Sequence, residues 1–204
     1  MVLPTLKFEK SFWEKGFKLV CGIDEVGRGS FAGPVVAGAV IYPPDVIFIE
    51  GVRDSKLLNS KQREKLDLII KEQAISWAVA EISVSAINKF GIGKATQMAF
   101  RKVVKQLREN PDYILIDAFY IKHFKKKKQL AIKKGDKLSF SIASASIIAK
   151  VHRYKLMAKL AEKYPQYNLE KHKGYGTTDH RDKIKKYGLS KIHRKSFNLE
   201  KFLI

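Results

Sequence analysis

The sequence predicts a mixed α/β fold, a sheet flanked by helices on both faces, with a small C-terminal helical extension. Three observations carry this. Two β-rich runs come first, and helix and strand then alternate. A short, fully apolar run at 113–116 has the character of a strand at the centre of a sheet. Residues 166–204 are basic and poor in long apolar runs, which suggests a helical appendage on a main body spanning 1–165.

Residues 18–26 are rich in β-formers and end at Gly27, so they read as a strand. Residues 34–42 read as a second, stopped by Pro43-Pro44. Gly27, Gly29 and Gly33 between them suit a hairpin turn. Residues 60–71 read as a helix that Ser60 can cap, with Leu66, Ile69 and Ile70 as a narrow apolar face. A strand is expected over 74–83. A second helix follows over 94–109, ended by Asn110-Pro111. A long helix over 140–164 opens on Ala143, Ser144, Ala145 and Ser146, small enough to let a neighbouring backbone come close. Pro165 stops it, and a basic helix over 178–187 ends at Gly188.

A chain of 204 residues makes one domain, or one domain with a small appendage. Its 45% hydrophobic content can build a core without staples. The single cysteine, Cys21, excludes an internal disulfide and fits a reducing, cytoplasmic setting. The longest mostly apolar run, 31–42, is broken by Gly33, Pro34 and Gly38. It falls short of the roughly 20 residues a bilayer requires, so no membrane association is expected. Residues 1–17 mix acids, bases and aromatics and lack the apolar stretch of a signal peptide. Forty Lys and Arg against twenty Asp and Glu give a net charge of +20. Such a charge attracts polyanions, nucleic acid foremost. A merely solvated lysine surface would give the same number, and charge says nothing about chemistry.

The scarce acids say more. Asp24-Glu25 interrupts an apolar strand, and strand neighbours point to opposite faces. One of them would face a core unless the strand ends or bulges there, which Gly27 makes credible. Asp117 follows the apolar run at the position where open α/β sheets place functional groups. Asp136 lies in a loop before the small-residue helix. Each alone reads as a turn or cap residue. Four together in so basic a chain favour a divalent cation, since clustered carboxylates need counter-charge. Oxygen-only donors suit Mg²⁺ or Mn²⁺, and two such ions about 3.5–4 Å apart can hold both oxygens of a phosphodiester displacement. One cysteine, with no histidine pair at zinc spacing beside it, excludes a Cys/His zinc site.

Three further segments suit a nucleic acid. Gly27-Arg28-Gly29 could bring backbone close to a 2′-hydroxyl, the group that separates RNA from DNA, though the tripeptide is also simply a tight turn. His172-Lys173-Gly174-Tyr175-Gly176-Thr177 could present a tyrosine to a sugar or base, or be an ordinary surface loop. Residues 122–137 carry eight lysines (122, 125, 126, 127, 128, 133, 134 and 137) against one acid, between Asp117 and Asp136. They could position a phosphate backbone or be a solvated loop.

Taken together these residues resemble the type 2 ribonucleases H, the ribonuclease HII family, over roughly residues 18–198. Cys21-Gly22-Ile23-Asp24-Glu25-Val26-Gly27-Arg28-Gly29 is similar to that family's opening motif, and Asp54-Ser55-Lys56-Leu57-Leu58 to its next. Leu115-Ile116-Asp117 and Lys134-Gly135-Asp136 resemble the segments carrying its third and fourth acids. Ser144-Ala145-Ser146-Ile147-Ile148-Ala149-Lys150-Val151, His172-Lys173-Gly174-Tyr175 and His193-Arg194-Lys195-Ser196-Phe197 complete the order. The resemblance implies a ribonuclease H-like fold. It implies Asp24, Glu25, Asp117 and Asp136 as catalytic, metal-binding acids with two Mg²⁺ or Mn²⁺ ions. It implies Gly27, Arg28, Gly29 and Tyr175 as the site for a ribonucleotide joined to DNA, and Ser55, Lys56 and Lys150 as phosphate contacts. The implied partners are RNA/DNA hybrid and ribonucleotide-containing duplex DNA. The implied reaction cuts 5′ to the ribonucleotide and leaves a 3′-hydroxyl and a 5′-phosphate.

Two departures stand out. Arg153-Tyr154 replaces the family's usual Arg-Asp, for which a local structural change is expected, not lost activity. The tail, 197–204, shows no clear sliding-clamp peptide, and a monomer is expected. The sister type 3 enzymes carry an extra N-terminal domain, for which the early motif leaves no room. A non-catalytic hybrid-binding protein could lose an acid without harm, yet all four are present. A ribosome-associated basic protein fits the charge but not the buried acids.

Overall fold

A sheet buried on both sides needs a cover on each, and this chain supplies two. The computed structural model describes residues 3–203. Met1, Val2 and Ile204, which end the N-terminal stretch and the C-terminal tail read above, lie outside the described residues. The sheet has five strands in the order β3-β2-β1-β4-β5: β1 Val20–Val26, β2 Val35–Ile41, β3 Ser76–Ile82, β4 Tyr113–Asp117 and β5 Gln129–Ile132. β1 pairs antiparallel with β2, and β2 with β3. β1 pairs parallel with β4, and β4 with β5. The expected hairpin and the central apolar strand are both there.

The helices are α1 Lys7–Trp13, α2 Ser60–Gln73, α3 Val84–Gln106, α4 Phe140–Lys163, α5 Leu169–His172 and α6 Thr178–Tyr187. α3 covers one face, burying Ile87, Ala95, Phe100 and Val103 against Ile23, Val35, Ala37 and Ile114. Cys21 lies in this layer, fully buried, and burial pushes its thiol pKa up. α4 and α2 cover the other face, where Ala143, Ala145 and Ile147 meet Val40, Leu66 and Ile70.

The small residues that open α4 do what their size allows. An added Cβ at Gly22 would overlap the Ser141–Ile142 backbone, and one at Gly38 the Ala145 carbonyl. α4 therefore runs directly under β1 and β2, and every residue from Phe140 to Val151 is buried.

Several boundaries differ from the sequence reading. Asn59, not Ser60, caps α2, because Asn59 and Gln62 close a reciprocal capping box. The second helix starts at Val84, with Ser83 as its cap, ten residues before the expected Lys94; Gly91, at φ 77°, breaks it internally. The lysine-rich segment is not all loop: it contains β5, whose Gln129 side chain bonds both the Ile121 N–H and the Ile121 carbonyl. α1 was not foreseen at all. Its Glu9 is fully buried and accepts hydrogen bonds from the Ser139 hydroxyl (2.6 Å) and from the Ser141 N–H (2.9 Å) and hydroxyl (2.6 Å). A carboxylate at the start of α4 complements the helix dipole there.

Candidate active site

β1 and β4 lie side by side, and both carry acids toward the same end of the sheet. On β1, Gly22 faces α4, so Asp24 two residues on does too. Asp24 is buried, pairs across the strand with Gly38, and takes a hydrogen bond from Ser146 of α4. Its Oδ1 also accepts from the Glu25 N–H at 2.7 Å. Glu25 points the other way but is half-buried at the rim, because the strand ends one residue later. Gly27 turns the chain at φ 86°. Asp117 ends β4. Its Oδ1 accepts the Gly135 N–H at 2.6 Å, which draws the loop carrying Asp136 across the strand end. All four acids line one pocket of about 490 Å³.

The pocket is electrostatically strained. Burial, then Glu25, holds the Asp24 carboxyl well above the usual range. Burial, then Asp117, pushes Glu25 up to about 7. Asp117 is raised by burial, against the Gly135 N–H that lowers it. Lysines supply part of the counter-charge: Lys56 stands 3.6 Å from Asp136 and Lys137 3.6 Å from Asp54. Burial works against the Lys56 ammonium, but Asp136, Asp54 and Asp24 outweigh it and raise its pKa. Among the described residues, no three His, Cys, Asp or Glu side chains are close enough to form one ion's shell as they stand. The donors nevertheless suit a hard cation. They are all oxygen, and Glu25 Oε2 is buried with no hydrogen-bond partner among the described residues.

The same pocket is lined by Gly27, Arg28, Ser55, Lys56, Lys150 and Tyr175. Gly29 alone of the expected residues is not in the lining and is exposed on the turn. Ser55 Oγ sits 2.9 Å from Ser146 Oγ and accepts from Lys150 Nζ at 3.2 Å. Burial, then Arg63 and Lys56, lowers Lys150 to about 8. The Arg28 guanidinium lies 4.4 Å from the Phe119 ring. In the lysine-rich segment, residues 126–128 form an exposed turn before β5.

Sequence reasoning gave no role to several residues that build this site. Arg153 and Arg194 are fully buried. Arg153 donates to the carbonyls of Pro34, Ala32 and Lys173, and Arg194 to those of Gly33 and Arg28. Together they gather the turn that follows β1. Gly27 is needed for this as much as for its φ, since a Cβ there would overlap the Arg153 side chain. Tyr154 and Arg63 also line the pocket, with the Arg63 guanidinium 5.0 Å and Lys173 Nζ 5.7 Å from the Tyr154 ring. An acid at this position would pair with these cations; the phenol gives them no carboxylate partner. Nothing in the sequence around either buried arginine, Arg153 or Arg194, marks it as buried.

Comparison with known proteins agrees with this architecture. A family model described as Ribonuclease HII matches residues 21–200. A ribonuclease HII from Acholeplasma laidlawii is 45% identical over 197 residues, covering 97% of this chain and 96% of that one. One from Acetivibrio thermocellus is 47% identical over 190 residues, covering 93% and 73%. The crystal structure of the ribonuclease H2 from Pyrococcus horikoshii superposes with a TM-score of 0.73 at 26% identity, covering 91% and 99%. With motif order, sheet topology and whole-chain likeness in agreement, the chain belongs to the ribonuclease HII family of endoribonucleases.

Proposed function

We propose that the protein hydrolyses the RNA strand of RNA/DNA hybrids and cuts 5′ of single ribonucleotides embedded in duplex DNA, leaving 3′-hydroxyl and 5′-phosphate ends. The supporting observation is the one pocket that holds Asp24, Glu25, Asp117 and Asp136 beside the Gly27-Arg28 turn and Tyr175.

The four acids would hold Mg²⁺ or Mn²⁺, two ions per site. Bound there, such ions activate water and stabilise the leaving oxygen. The chain's own side chains do the rest. Asp24 and Asp117 are fixed in place by Ser146 and by the Gly135 N–H. Lys56 and Lys150, with the Ser55 hydroxyl, present positive charge and a donor to the scissile phosphate. The turn at Gly27, Arg28 and Gly29 offers backbone groups to a 2′-hydroxyl, and Tyr175 packs on the deoxyribose that follows. No covalent enzyme intermediate is needed.

The test is a DNA duplex holding one ribonucleotide, assayed beside an RNA/DNA hybrid and an all-DNA duplex, with and without chelator. Cleavage of the first two only, lost with chelator, is expected. Cleavage of all-DNA duplex, or chelator-resistant cleavage, would refute the reading. The expectation of a monomer in a reducing cytoplasm joins this proposal. No helix among the described residues is long and apolar enough to cross a membrane.

A further inference from the structure

Three buried histidines lie behind the pocket wall and take no part in the reaction described above. His172, His180 and His193 come from α5, from α6 and from the segment after it. His172 and His180 stack, with ring centroids 4.3 Å apart. His180 Nδ1 lies 3.0 Å from the Tyr175 carbonyl, and His180 Nε2 lies 3.2 Å from His193 Nε2.

These distances fix every proton. A carbonyl only accepts, so His180 carries its proton on Nδ1. Its ring is neutral, so Nε2 is bare and must accept from His193, which therefore carries its proton on Nε2. His193 Nδ1 then accepts from the Ser190 N–H and hydroxyl, both at 3.0 Å. His172 completes the set: its Nε2–H donates to the Tyr167 carbonyl at 2.8 Å, and its Nδ1 accepts the Gly174 N–H at 3.2 Å. No ring lone pair is left for a metal. The charged groups around the trio are Asp179, Glu170 and Lys173; Asp179 stands 3.7 Å from His172 Nε2. The chain of donors also reaches the turn after β1. Ser30 bridges to Tyr175 and Ala32 to His193, while the His193 carbonyl accepts from Asn88 of α3.

We propose that His180 is the positioning residue for Tyr175. The relay from Ser190 through His193 and His180 to the Tyr175 main chain sets where that ring stands, and so sets the preference for a ribonucleotide followed by DNA. This rests on Tyr175 meeting the sugar after the ribonucleotide.

The experiment measures kcat/KM of the full chain on two duplexes, one with a single embedded ribonucleotide and one a continuous RNA/DNA hybrid. His180→Leu cannot donate and lowers the ratio of the two by about tenfold, the worth of one buried hydrogen bond. His180→Asn places an amide N–H where Nδ1 stood and restores the ratio to within about threefold. Tyr175→Ala is the companion variant. If it leaves the ratio unchanged, the reading of Tyr175 fails. If it collapses the ratio and His180→Leu does not, the relay alone fails. Nitrogen–proton correlation spectra of the unsubstituted protein give a readout that needs no variant to fold. Nδ1–H is expected on His180 and Nε2–H on His172 and His193; an Nε2–H tautomer at His180 overturns the relay.

Discussion

At the scale of single residues, the acids are bound to their neighbours more tightly than their spacing in sequence suggests. Asp117 anchors the Asp136 loop through Gly135 and also faces Glu25, so it serves position and charge at once. Asp117→Asn keeps the volume and removes the charge. Its cleavage rate is expected to fall roughly a thousandfold or more, with affinity for the duplex held, as single-turnover kinetics and a binding titration would show. Tyr154 offers a second test. Tyr154→Asp places a carboxylate between Arg63 and Lys173, pairs with them, and should weaken duplex binding while reducing the salt slope of log K by about one. A salt series with Tyr154→Phe as control decides it. That Asp24 and Glu25 belong with a pocket was legible because an acid inside an apolar strand has few other reasons to be there. Arg153, Arg194 and Glu9 were not legible, because their partners are main-chain groups distant in sequence, and nothing in a residue's own neighbourhood names such partners.

At the scale of elements, the site depends on how closely α4 approaches the sheet. The run of small residues announced that approach, and Gly22 and Gly38 are its counterpart on β1 and β2. Gly22→Ala would push α4 off β1 and carry Ser146 away from Asp24. Overpacking of backbone on backbone is expected to cost about 3 kcal/mol, read from urea unfolding, and activity should fall with it. Element type was legible wherever apolar periodicity was strong, in β1, β2, β4 and α4. It was not in β5, where polar and lysine-rich flanks hide a four-residue edge strand, nor in α1, a short helix held by the buried Glu9 and by Phe12 against Tyr113. The start of α3 was missed: glycine is a poor helix former, yet the helix runs through Gly91 and Gly93 with a kink at Gly91.

At the scale of the whole molecule, the C-terminal segment is held to the body by the two buried arginines and the histidine relay. Burial first, and then repulsion from His172 at His180 and from His180 at His193, lowers both to about 4 from an ordinary 6.5. Above 6.5 both folded and unfolded rings are neutral. Between 6.5 and 4 the unfolded chain takes up protons that the folded pair refuses, so stability is lost as pH falls through that window. The urea midpoint should decline there, and His193→Gln should flatten the decline. The ribonuclease H-like sheet and the basic tail were legible from the sequence; that the tail docks through imidazoles was not, since three histidines spaced 172, 180 and 193 share no helix face. Cys21 gives the sheet one last property. With the only sulfhydryl sealed in the layer between β1 and α3, a thiol-modifying reagent can reach it only when those elements part. The rate of its labelling is therefore a clock for the opening of the core, already installed and needing no engineered probe.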